Sequence, residues 1–275
     1  MQRSVFARTG AFLRSCLLWD RPFARWVAVV AVPIILQELV GASLHIIDGL
    51  MVSSLGDAAY SAVTQANRFT FVFQLFSFGT MSGGAIFMSQ YWGARDIPRM
   101  RQSMGISLFA VTVLSVLFAG AARLFPQTIM TWFLPQGESR GIAAVYLSAV
   151  APSYLLVGVS GVYAMCIKAG EKTYIPLIAG VASICANTAL NYVFIFGHLG
   201  FPAMGAYGAA VATDISAAVQ LGIVLAFAYG KHLPAGATFR QMTGGDHGFI
   251  RRFTRVVMPV IFNEGLWGLG TTIYG

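Results

Sequence analysis

Residues 25–55 read RWVAVVAVPIILQELVGASLHIIDGLMVSSL, and this stretch decides the fold. Past Arg25 its only ionisable side chains are Glu38, His45 and Asp48. A helix crosses a bilayer with about 20 mostly apolar residues. The run is longer than one crossing, so its helix must tilt, bend or protrude. Five further runs of the same kind follow at about 62–92, 102–124, 142–168, 174–197 and 205–230. Pro33, Pro152 and Pro176 lie within or near the ends of these runs. Bilayer helices accept proline where neighbours satisfy the freed carbonyls. Composition points the same way. Of 275 residues, 57% are hydrophobic and 10% charged, with mean hydropathy +0.70, whereas soluble domains carry about 25% charged residues. That excludes a soluble domain and a disordered chain. Three scattered cysteines exclude a disulfide scaffold. The fold class is all-α and polytopic, with six spans.

Charge orders the spans. The formal charge is +8, but the basic residues sit in short clusters between apolar runs. Such clusters are the positive-inside bias of membrane loops rather than a nucleic-acid surface. With a cytoplasmic N-terminus, all of the 18 Lys and Arg residues except Arg68, Arg123 and Arg140 fall on one side. Residues 1–24 have neither the apolar core nor the cleavage site of a signal peptide. They read as a cytoplasmic or interfacial segment, with residues 25–230 as the six-span lobe. Residues 231–255, with Pro234, Gly236, Gly244 and Gly245, read as a cytoplasmic linker. A seventh segment, 256–275, stops in mid-pattern, so the expectation is a chain truncated inside a second lobe.

That second lobe is announced by a repeat. Pro33-Ile-Ile-Leu-Gln-Glu38 recurs as Pro259-Val-Ile-Phe-Asn-Glu264, and the register holds without a gap to Gly49 over Gly275. Six intervening spans make both copies enter from the same side, a parallel repeat of the kind secondary transporters use. Acids within apolar runs are the next signal, because a carboxylate at mid-membrane costs about 2.5–3.5 kcal/mol on insertion scales. Glu38, Asp48, Asp214 and Glu264 qualify. His45 lies three residues before Asp48, on the same helical face. Asn187 and Asn191, four apart, also share a face and offer amide groups to a carboxylate or a small cation. Gly205, Gly208, Ala209 and Ala210 allow a close helix approach, which brings Thr213 within reach of a neighbour. No GxxxxGK[ST], GxSxG or HExxH motif occurs, so nothing indicates an enzyme.

Three stretches carry a resemblance: PIILQELVGASLHIIDGLMVSSLG at 33–56, SQYWGARD at 89–96 and NTALNYVFIFGHLGFPAMGAYGAAVAT at 187–213. They resemble the multidrug and toxic compound extrusion (MATE) family, from about Pro33 to the last residue. The resemblance implies a protein of twelve helices in two lobes around a central chamber, seen here as a six-helix lobe plus the start of helix seven. It implies secondary active efflux of organic, often cationic compounds by alternating access, driven by H⁺ or Na⁺ antiport. The setting is then the plasma (inner) membrane. Partners are small organic substrates and the lipid bilayer, with no nucleic acid, no required oligomer and no cofactor beyond the coupling ion. Asp48 matches the first-helix acid of the family's cation site, and Asn187 and Thr213 match its partners. Asn191 stands where some relatives have Asp. The site then has one fewer negative charge, which leaves H⁺ and Na⁺ both open; Na⁺ would lie among Asp48, Asn187, Asn191 and Thr213. Glu264 resembles the acid of the other lobe. An alternative within the superfamily is a flippase for lipid-linked oligosaccharides or lipids. Such a flippase is expected to hold pyrophosphate with more basic residues than the single Arg68 here. A non-transporting fragment is the third reading.

Overall fold

The structure, a computed structural model, describes residues 21–243 and 247–274. The segment expected at 1–24 falls almost wholly outside them. The long helices are α1 (Arg21–Ser53), α2 (Asp57–Gly93), α3 (Ile97–Leu124), α5 (Glu138–Ala169), α6 (Tyr174–Phe196), α7 (Gly205–Gly230) and α9 (His247–Tyr274). Two short ones, α4 (Pro126–Thr131) and α8 (Phe239–Met242), lie between them. Helices α1, α2, α3, α5, α6 and α7 are long and apolar enough to cross a membrane, and they coincide with the six apolar runs. The linker differs from expectation. It contains α8, held by a capping box from Thr238 to Gln241, and α9 starts at His247 rather than near Val256. The polar residues of 247–255 are those of a helix that begins before it enters apolar surroundings.

Turn chemistry sets the helix ends. Gly56, with φ near 101°, separates α1 from α2. Asp96 caps α3 by accepting the Arg99 amide hydrogen at 3.1 Å, and the following Pro98 fits a first turn where no amide donor is needed.

Helix α5 is the centre of the lobe, packing on α2, α3 and α7. Helix α6 packs on α7, and α1 packs mainly on α6. Helix α9 lies along α2, so α1 and α9 are the two edges. Two close approaches require glycine. A Cβ on Gly208 of α7 would stand 2.7 Å from the carbonyl oxygen of Phe194 in α6. A Cβ on Gly79 of α2 would stand 2.9 Å from the Ile261 Cα in α9, and one on Gly83 2.9 Å from Val257. The apolar core divides into a cluster around Phe73, Leu147, Tyr154 and Ile195 and another around Met88, Met104, Val162 and Val224. A small third cluster, Phe87 with Phe253 and Val257, joins α9 to the lobe.

Proline inside a helix removes one amide donor and orphans the carbonyl four residues earlier. In α5 the orphan of Pro152 is Ser148. Arg123 of α3 donates to the Ser148 carbonyl at 3.4 Å and to its hydroxyl at 3.0 Å, so a basic residue that stood apart in the charge pattern repairs a helix break.

Candidate cation-coupling site

Asp48 lies one and a half turns before the end of α1, half-buried. Across from it, α6 places Asn187 and Asn191 one turn apart on one face, and both are buried, with Asn191 fully so. The Asn191 amide nitrogen donates to an Asp48 carboxylate oxygen and, at 3.0 Å, to the Asn187 amide oxygen. Asn187 in turn donates to the Ser216 hydroxyl of α7 at 3.4 Å. Ser216 donates to the Thr213 carbonyl at 2.9 Å, and Ser183 of α6 donates to the Ser216 carbonyl at 3.0 Å. The chain of bonds therefore runs from α1 through α6 to α7. Asn191 lies five residues from the end of α6, about 8 Å along the helix.

Both Asn191 amide hydrogens are spent on Asp48 and Asn187. Its Oδ1 is buried with no hydrogen-bond partner among the described residues. A buried acceptor without a donor costs about 1–3 kcal/mol, so this atom is suited to a donor or a cation. Its two bonding partners, Asp48 and Asn187, line a cavity of about 100 Å³ together with Asn67, Thr70, Tyr146 and Thr213, among others. That is room for a few water molecules. The oxygen donors lining it are the Asp48 carboxylate, the amides of Asn67, Gln74 and Asn187, and hydroxyls. Hard oxygen ligands suit alkali and other hard cations, and a single negative charge matches a monovalent one.

The expected residues separate into those the fold assembles and those it does not. Asp48, Asn187 and Asn191 are joined directly. Thr213 lines the cavity, but its hydroxyl donates to Ala209 in its own helix at 3.0 Å rather than to a neighbouring helix among the described residues. Asp214 lies by the Ser153 backbone of α5, its Oδ1 is buried with no hydrogen-bond partner among the described residues, and it is not among the residues lining the cavity. Glu38 is exposed and lies within electrostatic range of Lys168 at the end of α5. Glu264 packs against Gly79 of α2. His45 lies in α1, but its side chain is outside the described residues. The fold also adds groups not anticipated. Tyr146 donates to Asn67 at 3.4 Å, and the hydroxyls of Thr70 and Tyr154 lie 2.9 Å apart. Asn67 and Thr70, three residues apart in an apolar run, share a face of α2; that spacing was the signal available.

The MatE family model matches residues 33–193, which takes in Asp48, Asn187 and Asn191. The chain belongs to the MatE family. Among curated MatE relatives, a probable multidrug resistance protein NorM of Bradyrhizobium diazoefficiens is 29% identical over 201 residues, covering 72% of this chain and 41% of its own length. Another probable NorM, from Rhizobium meliloti, is 29% identical over 209 residues, with 74% and 43% covered. A solved MOP superfamily transporter from Pyrococcus furiosus Vc1 has the same fold, with TM-score 0.77 and 20% identity over 87% of this chain and 52% of that one. An outward-facing multidrug resistance MATE family transporter of the MOP superfamily matches equally, at TM-score 0.77. The chain thus spans about two-fifths of the curated relatives and half of the solved ones, and the six-span bundle is the MatE lobe.

Proposed function

We infer that this lobe belongs to a secondary active exporter of organic, often cationic compounds, and that Asp48 takes up the cation whose inflow drives export. The observation that carries this reading is the Asp48–Asn191–Asn187 chain beside a polar cavity within an apolar bundle. The ion is H⁺ or Na⁺. A proton would sit on the Asp48 carboxylate. Na⁺ would take that carboxylate with the amide oxygens of Asn187 and Asn191 and the Thr213 hydroxyl oxygen. Either ion neutralises Asp48 and weakens its hold on the Asn191 amide. The bond between α1 and α6 then changes strength with ion occupancy. Because α1 is an edge helix resting mainly on α6, that bond biases its position. A ligand shifts a conformational equilibrium only by its differential affinity for the two states, and here the differential contact is the α1–α6 bond. Ion and substrate that prefer opposite states then weaken each other's binding by the same factor. A membrane potential adds about 2.3 kcal/mol per charge per 100 mV to ion entry.

The N-terminus is cytoplasmic in this reading, from the arginine distribution, and no cofactor beyond the coupling ion takes part. The test is substrate efflux by the full-length protein in vesicles, under separately imposed H⁺ and Na⁺ gradients. Asp48→Asn should abolish gradient-driven efflux at equal expression. Unchanged efflux would remove Asp48 from the coupling role, and the gradient that drives the wild type names the ion.

A further inference from the structure

At the opposite end of the lobe from Asp48, the first turns of α3 and α9 open onto a cleft of about 610 Å³. It is lined by Asp96, Pro98, Arg99, Gln102, Phe249 and Arg252, among others. The two arginines come from different helices. Arg99 is held in place, with its guanidinium 6.0 Å from the centre of the Tyr91 ring and 3.6 Å from the Asp96 carboxylate. Arg252 has no acidic partner among the described residues. Among the described residues that line the cleft, Asp96 is the one acid, and it is already engaged as the cap of α3. Arg251 and Arg255 are exposed in the same turns of α9 and add to the positive field. Both helices turn their N-termini towards this end, and each carries a partial positive charge there. The cleft is therefore built for an anion.

A second observation says what kind of anion. Further along α3, Gly105, Ile106 and Phe109 line an apolar groove of about 540 Å³, with Met242 of α8 and Ile250 of α9 on its other walls. Residues 99, 102, 106 and 109 recur at helical spacing on one face of α3. The arginine cleft and the apolar groove therefore follow one another along a single strip, from the arginine-rich end into the membrane-spanning part of the helix. An inorganic ion would use only the cleft. A molecule with a phosphate at one end and a hydrocarbon chain at the other would use both.

We propose that the strip between α3 and α9 binds an anionic phospholipid of the arginine-rich leaflet, with its phosphate between Arg99 and Arg252 and an acyl chain along Ile106 and Phe109. Basic pockets between membrane helices on the cytoplasmic side are suited to such headgroups. The occupant would tie α9 to the six-span lobe. The proposal does not depend on Asp48.

The full-length protein is purified, incubated with equal amounts of phosphatidylglycerol and phosphatidylcholine in detergent, washed, and its retained lipid counted by mass spectrometry. Phosphatidylglycerol should be retained in preference. Arg99→Gln and Arg252→Gln should each lower that retention about fivefold, the effect of one basic residue near an anionic surface. Ile106→Trp, which fills the groove, should lower phosphatidylglycerol retention while leaving binding of inorganic phosphate unchanged. Equal retention of the two lipids, or undiminished retention in the double arginine variant, overturns the proposal. Retention that inorganic phosphate displaces fully and that Ile106→Trp leaves untouched also overturns it, by showing a site for free phosphate alone. Should Arg252→Gln fail to fold, Arg99→Gln decides, since the Arg99 side chain is 57% exposed and its loss leaves the core intact.

Discussion

Asn191 bonds to both Asp48 and Asn187, so a double-mutant cycle between Asp48 and Asn191 tests the site most directly. Asn191→Ala removes a charge-assisted bond to Asp48, of a class worth about 1.5–3 kcal/mol. It also removes a neutral bond to Asn187, typically about 0.6 kcal/mol in a membrane. Against these losses stands relief of the buried Oδ1 that has no donor, about 1–3 kcal/mol. The net cost of the single variant is therefore small, about 1 kcal/mol, and by itself uninformative. The coupling energy is not small. Once Asp48 is Ala, the Asn191 bond to it no longer exists, and only the Asn187 bond and the orphan oxygen remain, which cancel from the cycle. The expected coupling is about 1.5–3 kcal/mol. Unfolding of the full-length protein would be measured for wild type, Asp48→Ala, Asn191→Ala and the double variant, at fixed ion concentration. Costs that add to within about 0.5 kcal/mol would mean that Asp48 is not held by Asn191, and the proposed coupling between ion occupancy and the α1–α6 contact would fall with it.

Other perturbations follow from particular contacts. Gly208→Val should separate α6 from α7 and break the Asn187–Ser216 bond, costing about 1–3 kcal/mol as overpacking; a thermal midpoint equal to wild type would contradict the close approach seen here. Gly83→Leu should push α9 off α2, read as faster proteolysis of the linker around residues 231–246 with the six-span lobe intact. Arg123→Gln should lower the thermal midpoint by exposing the Ser148 carbonyl. In a Pro152→Ala background, which restores the missing amide donor, the same change should be nearly silent. Equal effects in the two backgrounds would show that Arg123 does something other than repair the helix. Tyr154→Phe removes the contact with Thr70 from a buried position and should cost about 1 kcal/mol, measured by unfolding, with the fold unchanged.

The sequence by itself determined the six spans, their order and the acids that need explaining. Hydropathy is a local property, and a chain with 10% charged residues has few ways to place them. Asp48 was legible as an isolated acid in an apolar run, and Asn187 with Asn191 as a pair on one face, because helical spacing fixes both. The pairing of these two signals was not legible. Asp48 and Asn191 are 143 positions apart, and only the rotation of α1 and α6 about their own axes brings them together. The same rotations decide that Thr213 lines the cavity while Asp214, its neighbour, turns to the backbone of α5, and that Arg123 ends on the one carbonyl Pro152 leaves bare. Rotations of this kind are set by which small residues let helices approach, Gly208 against Phe194 and Gly79 against Ile261. That is a matter of packing between distant segments, which no local pattern in the chain records.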